Sequence, residues 1–96
     1  MDQKIILQLL KEYLSTAKEH YHILRLGIFG SVARNSFREN SDLDIVIEME
    51  KPSMFDLIAI KQDIEEKIGK NVDIVLLDEF LNKFLQKRIQ KEAIYV

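Results

Sequence analysis

The sequence predicts an α/β (α+β) fold in which helices pack on one small mixed β-sheet. Apolar residues recur at helical spacing in three stretches, and β-prone apolar runs lie between them, at 23–29, 43–49 and 71–77. With 96 residues, the chain is expected to form a single domain over positions 1–96. A domain this small buries about two-thirds or less of its unfolded surface, so a partner chain or a homo-oligomer would add stability.

The first part of the chain predicts a helix, a strand and a sharp turn. Positions 3–18 form one apolar helical stripe, made of Ile6, Leu9, Leu10, Tyr13, Leu14 and Ala17. The run 23–29 is a strand that ends at Gly30, and a short helix from Ser31 to Arg34 opens directly from it. The polar stretch from Asn35 to Ser41 is a loop.

The connection between the first two strands indicates how they pair. Only about a dozen residues join 23–29 to 43–49, which is short for a parallel crossover and favours a mixed sheet. Pro52 breaks the second strand. Ser53, followed three residues later by Asp56, begins a helix that ends near Ile68.

The third strand, 71–77, precedes a last predicted helix over 78–91. Its inward residues are expected to be Leu81, Phe84, Leu85 and Ile89. The tail at 93–96 adds a short strand or packs as an extended end. Lysines at 83, 87 and 91 indicate a solvated face of this helix or, as an alternative, a docking surface for an acidic partner.

Composition excludes several classes of function. The net charge of −2 and the pI of 5.7 argue against a broad basic surface for nucleic acid. Without cysteine, neither disulfides nor thiolate metal sites can form, and the pair His20 and His22 is interpreted as a helix end and linker. The interrupted apolar run at the N-terminus is neither a signal peptide nor a membrane span, so a cytoplasmic protein is expected.

Three aspartates are expected to converge on one face of the sheet. Side chains alternate along a strand, so Asp42 and Asp44 point to the same face, opposite Leu43 and Ile45. Asp73 takes the equivalent face of the third strand. If those strands pair, three negative charges meet, and a hard cation such as Mg²⁺ together with phosphate oxygens would neutralise them. A polar, solvent-facing side of the sheet is the alternative.

The pair Gly30-Ser31 lies between a strand end and a helix start, where free backbone N–H groups attract phosphate. Ser31 either caps the helix or contacts a phosphate oxygen. Arg34 and Arg38 follow in the loop, and each is either a triphosphate contact or an exposed arginine.

The segments Gly30-Ser31-Val32-Ala33-Arg34-Asn35 and Ser41-Asp42-Leu43-Asp44 resemble the signature of the polymerase-β-type nucleotidyltransferase superfamily, and of its minimal (MNT) members in particular. The resemblance implies a palm-like nucleotidyltransferase fold and transfer of a nucleoside monophosphate from ATP or another NTP. It implies that Gly30 and Ser31 bind the nucleotide, and that Asp42, Asp44 and Asp73 bind two Mg²⁺ ions and are catalytic. Arg34, which lies in the same segment, is the further candidate for nucleotide binding. The family usually has Gly at the position of Asn35, the non-Gly residue best able to adopt positive φ.

The resemblance further implies an antitoxin that silences a partner HEPN-domain RNase toxin by transferring AMP to a toxin tyrosine. Two alternatives are nucleotidyl transfer to a small-molecule acceptor and a non-catalytic module that neutralises a toxin by contact alone.

Overall fold

The computed structural model describes residues 1–96 and alternates helices with strands along the chain. The elements are α1 (Gln3–His20), β1 (Ile23–Phe29), α2 (Gly30–Ala33), β2 (Leu43–Met49), α3 (Met54–Ile68), β3 (Val72–Leu76), α4 (Lys83–Glu92) and β4 (Ile94–Tyr95). The predicted strands 23–29 and 43–49 are confirmed, and the others agree within one residue. No helix combines the length and the apolar character that crossing a bilayer requires.

The four strands form one mixed sheet in the order β3-β2-β1-β4. β1 runs antiparallel to both β2 and β4, whereas β2 and β3 are parallel. The short β1–β2 connection joins antiparallel strands, and the predicted mixed sheet is confirmed. This topology brings the C-terminal end of β1 and the N-terminal ends of β2 and β3 to the same end of the sheet.

The two faces of the sheet are covered differently. One face packs against α1 and α3 and contains most of the core, with fully buried residues that include Leu26, Ile28, Leu43, Ile45 and Ile47. On the other face, a smaller apolar cluster joins Phe29 and Val46 to Ile89 of α4. Because α4 covers only part of this second face, polar side chains can occupy the rest.

Local signals in the sequence account for where the helices begin and end. The Asp2 carboxylate accepts a hydrogen bond from the Ile5 amide at 2.9 Å, and Ser53 caps α3 by accepting from the Asp56 amide at 3.4 Å. Gly69 ends α3 in the left-handed conformation, with φ of 77°. α1 extends to His20, two residues beyond the prediction.

The prediction for α4 was wrong at its start and at one inward residue. The helix begins at Lys83 rather than 78, because Asn82 accepts hydrogen bonds from the amides of Phe84 and Leu85 as the N-cap. Asp78 forms a separate turn by accepting from the Phe80 amide. Phe84 was expected to point inward, yet it is 85% exposed.

Candidate functional site

The structure brings the aspartates of β2 and β3 side by side. Asp44 and Asp73 are register partners on parallel strands, which lie about 4.8 Å apart in any sheet. Asp42 precedes β2 by one residue, two positions before Asp44, so it lies towards the same face. Asp44 is half-buried, whereas Asp42 and Asp73 are exposed. The structure therefore pairs Asp44 with Asp73 at one end of the sheet and places Asp42 near them, but the three do not form one closed group of ligands.

The environment of Asp44 disfavours its charge. Burial raises the pKa of the Asp44 carboxyl, and the neighbouring charge of Asp73 and, to a lesser extent, that of Asp42 raise it further. Arg88 and Arg34 act in the opposite direction without cancelling the increase. The site therefore has an excess of negative charge, and a bound cation would reduce the repulsion between its carboxylates.

The donor set fits a hard divalent cation that retains other ligands. No group of three or more His, Cys, Asp or Glu side chains is close enough to enclose a metal ion by itself. Mg²⁺ usually binds through one or two carboxylates and completes its octahedron with water and phosphate oxygens. Asp44 with Asp73 or Asp42 could supply the protein's share of such a shell, and the substrate would supply the remainder.

The turn after β1 lies directly against Asp44. Gly30 has a positive φ of 74°, and a Cβ atom at this position would overlap the Asp44 carboxylate. Ser31 is half-buried, and its hydroxyl takes part in none of the side-chain hydrogen bonds, so the alternative role as a helix cap is not observed. Asn35 adopts φ of 59°, which confirms the expectation that it tolerates the left-handed conformation.

A carboxylate from the end of α4 joins the turn to two arginines. Glu92 accepts a hydrogen bond from the Gly30 amide at 3.0 Å and another from Nη1 of Arg34 at 2.9 Å. Nε of Arg88 lies 3.4 Å from the same carboxylate. Burial raises the pKa of Glu92, but the Gly30 amide and the two arginines outweigh it and hold that pKa below its usual value.

The far end of α2 is attached to α1. The side-chain amide of Gln3 donates to the backbone carbonyls of Val32 and Ala33, at 2.9 and 3.0 Å. These bonds satisfy two carbonyls at the C-terminus of a one-turn helix that has no other cap from a side chain. The turn containing Gly30 and Ser31 is thus tied to α4 on one side and to α1 on the other.

Other candidate residues make their hydrogen bonds outside this centre. Arg38 is exposed, and its backbone amide donates to Ser41 Oγ at 2.9 Å. A polar groove of about 420 Å³ adjoins Asp42, and its residues include Glu65 and Lys70. The Lys70 ammonium donates to the Glu39 carbonyl at 2.7 Å. The groove shares only Asp42 with the aspartate centre, which makes it a poorer position for a triphosphate than the turn at Ser31.

Sequence reasoning missed Glu92, Arg88 and Gln3 as parts of this site. A carboxylate in the last turn of a helix interacts unfavourably with the helix dipole, so it needs cationic or N–H partners. The position of Glu92 in the last turn of α4 was therefore the one signal in the sequence that it has such partners. No pattern in the sequence identifies which partners it has, because Gly30 is 62 positions away.

Comparison with known proteins adds independent information. A family model described as a nucleotidyltransferase domain matches residues 8–96. A candidate protein adenylyltransferase of Methanocaldococcus jannaschii is 32% identical over 92 residues, covering 95% of this chain and 94% of the relative. The protein adenylyltransferase MntA of Thermococcus cleftensis is 31% identical over 80 residues, covering 82% of this chain and 80% of the relative.

Solved structures have the same fold. A structure described as a candidate minimal nucleotidyltransferase superimposes with a TM-score of 0.80 at 33% identity, and the match covers 98% of this chain and 95% of the other. A toxin-antitoxin structure with AMP-PNP matches with a TM-score of 0.72 at 18% identity, covering 99% of this chain and 72% of the other. At that identity, the second match supports the fold alone.

Proposed function

The chain belongs to the nucleotidyltransferase domain family, as an enzyme of the MntA-like protein adenylyltransferase type, and from this premise we propose a specific reaction and partner. It transfers AMP from ATP, with Mg²⁺, to a tyrosine of a HEPN-domain RNase toxin, and so acts as the antitoxin. The observation on which the proposal rests is the register pairing of Asp44 with Asp73 beside the turn at Gly30 and Ser31.

The reaction assigns a role to each side chain at the centre. The acceptor hydroxyl oxygen forms a bond to the α-phosphorus of ATP, while the bond from that phosphorus to the β-bridging oxygen breaks and pyrophosphate leaves. The exposed Asp73 carboxylate accepts the hydroxyl proton, and Ser31 and Arg34 orient the triphosphate. Asp42, Asp44 and Asp73 would hold Mg²⁺, as two ions, and the metal would supply positive charge against the triphosphate and the leaving pyrophosphate.

The outer side of α4, with its exposed aromatic residues at the end away from the aspartates, favours a protein acceptor over a small molecule. α4 begins near the end of the sheet away from the aspartates and ends at Glu92, next to Gly30. Its outer side therefore forms a surface that extends from that end to the aspartates. At its start, Phe80 and Phe84 are 86% and 85% exposed. Exposed aromatic side chains are enriched where proteins bind one another. The similarity to protein adenylyltransferases agrees with this choice.

Intact-mass spectrometry tests the proposal. The protein is incubated with ATP, MgCl₂ and the product of the neighbouring gene, which under this proposal is the HEPN-domain toxin, and the toxin is expected to gain one or more AMP units. Asp42→Asn and Asp44→Asn are expected to abolish that gain. Glu48→Gln is the matched control, because Glu48 is on the same strand as Asp44 but pairs with Arg25 at 2.9 Å, away from the centre.

Two other results would contradict the proposal and identify its alternatives. Pyrophosphate release from ATP in the presence of a small hydroxylated acceptor, without any mass gain on the toxin, indicates a small-molecule acceptor. A tight complex with the toxin that forms without ATP, gains no mass and releases no pyrophosphate indicates a non-catalytic binding module.

A further inference from the structure

Glu92 is an unusual carboxylate for its position in the fold. It occupies the last turn of α4, where the helix dipole disfavours negative charge, and its side chain is only 15% exposed. Both conditions raise the free energy of a buried anion unless hydrogen-bond donors compensate for them. The compensating groups are the Gly30 amide and Arg34, which donate hydrogen bonds, and Arg88, which forms an ion pair; all three lie around the candidate nucleotide site.

Each carboxylate oxygen has a separate partner in the turn. Oε2 accepts from the Gly30 amide at 3.0 Å, and Oε1 accepts from Nη1 of Arg34 at 2.9 Å. One side chain therefore fixes the start of α2 and the arginine just after its end. Because Gly30 lies against the Asp44 carboxylate, the same contact also sets the position of the turn relative to the aspartates.

From these contacts we infer that Glu92 is a positioning residue for the nucleotide, which acts by orienting Arg34 and the Gly30–Ser31 turn towards the triphosphate. The inference rests on the proposed function. A guanidinium has five N–H donors, and Glu92 uses one of those of Arg34, so the others are available for phosphate oxygens. The Gly30 amide is already bonded to Glu92, which leaves Ser31 as the phosphate contact of the turn.

The opposite interpretation is that the Glu92 carboxylate takes the place of a phosphate in the free protein and must be displaced by the nucleotide. The two interpretations predict opposite effects of removing the charge. If Glu92 positions Arg34, Glu92→Gln weakens nucleotide binding. If Glu92 competes with phosphate, the same substitution strengthens it.

The test measures KM for MgATP, kcat and the Gly30 amide resonance in wild type and in Glu92→Gln. We expect KM to rise about tenfold while kcat changes by less than about threefold, since an interaction made equally in ground and transition states affects binding alone. In nucleotide-free protein, the Gly30 amide proton is expected to shift upfield and exchange faster, because the charged acceptor has been removed.

A double-mutant cycle determines whether the effect passes through Arg34. Arg34→Gln is expected to raise KM by itself, and adding Glu92→Gln in that background should change KM by less than about twofold, because the two residues act as one unit. Glu48→Gln is the control, since it removes a carboxylate from an ion pair of the same 2.9 Å length outside the site. It should leave KM and the Gly30 resonance unchanged.

Three results would overturn the inference: an unchanged KM in Glu92→Gln, a lower KM in that variant, or additive effects in the double mutant. These failures differ from failure of the proposed function. If wild type neither binds MgATP nor releases pyrophosphate, the proposed function is refuted together with the inference. An active wild type with an unaffected Glu92→Gln variant refutes only the role of Glu92.

Discussion

Two glycines of this chain have nearly the same backbone conformation in very different surroundings. Gly30 and Gly69 have φ values of 74° and 77°. A Cβ atom at Gly69 would meet nothing within 4 Å, whereas one at Gly30 would overlap the Asp44 carboxylate. Substituting each glycine therefore distinguishes the free-energy cost of a left-handed backbone, which both positions share, from the effect of displacing the Asp44 carboxylate, which is specific to Gly30.

Alanine at each glycine provides a matched experiment. Gly69→Ala is expected to lower the free energy of unfolding by about 1–2 kcal/mol through backbone strain and to leave the transfer rate unchanged. Gly30→Ala should have at least that effect on stability and should also reduce kcat/KM by about 100-fold, because Asp44 must move. Chemical denaturation and initial rates check both. Equal rates in the two variants would contradict the role of Asp44.

Asp44 is expected to lower the stability of the free protein at neutral pH. Its pKa is raised in the folded state, by burial first and by Asp73 next, so the folded state retains this proton to higher pH than the unfolded state. The free energy of unfolding therefore falls as pH rises from the ordinary aspartate pKa through the raised one, and the loss is complete above the latter.

Asp44→Asn removes this pH-dependent penalty. Because solvent still reaches the carboxylate and screens the repulsion, we expect a gain of about 0.5 kcal/mol at pH 7, or roughly 2–4 °C in Tm. The gain should disappear near pH 3, where Asp44 is neutral in both folded and unfolded states. Thermal melts at the two pH values check the prediction. A lower Tm for Asp44→Asn than for wild type at pH 7 would contradict it.

At the scale of single elements, prediction worked best where two signals agreed. β2 is apolar on alternate positions and is followed by Pro52, and α3 has both a serine cap and a terminal glycine. The helical spacing of apolar residues in α4 extends back to Leu81, so a prediction from this pattern alone places the start of the helix too early. The short-range bonds of Asp78 and Asn82 decide the start, and they compete locally with helix formation in a way that periodicity does not detect.

The observed start of α4 predicts contrasting effects for two of its apolar residues. Phe84→Ser should change the free energy of unfolding by less than about 0.5 kcal/mol because the ring is exposed. Ile89→Ala, at a position that is 1% exposed, should cost about 2–4 kcal/mol. Denaturant unfolding checks both. Strong destabilisation by Phe84→Ser would mean that the ring packs inward after all.

The same surface provides a functional measurement at this element. If the outer side of α4 contacts the protein acceptor, Phe84→Ser should slow AMP transfer to the toxin several-fold. Pyrophosphate release with a short tyrosine peptide as acceptor should remain unchanged, which separates docking from chemistry.

At the scale of the whole molecule, the sequence was sufficient to predict a small mixed sheet and to place the aspartates of each strand on one face, but the pairing of β2 with β3 was only a condition. Alternation puts Asp42 and Asp44 on one face, and the shortness of the β1–β2 connection argues against a parallel crossover, whereas the pairing of Asp73 with Asp44 is known from the structure alone. The contacts of Glu92 and Gln3 were not predictable. They depend on how α4 and α1 dock, and docking is decided by the packing of many apolar residues.

The pairing of β2 with β3 has a consequence for how the centre forms. Leu43 pairs with Val72 on the buried face, and Asp44 pairs with Asp73 on the opposite one. Sliding β3 by one position would drive an acid among the isoleucines of α3 and expose Val72 to water. The free-energy cost of such a slip comes from burying a charge and exposing apolar surface, and not from any interaction with the substrate. Packing of the hydrophobic core therefore selects the register that aligns Asp44 with Asp73, whether or not substrate is bound.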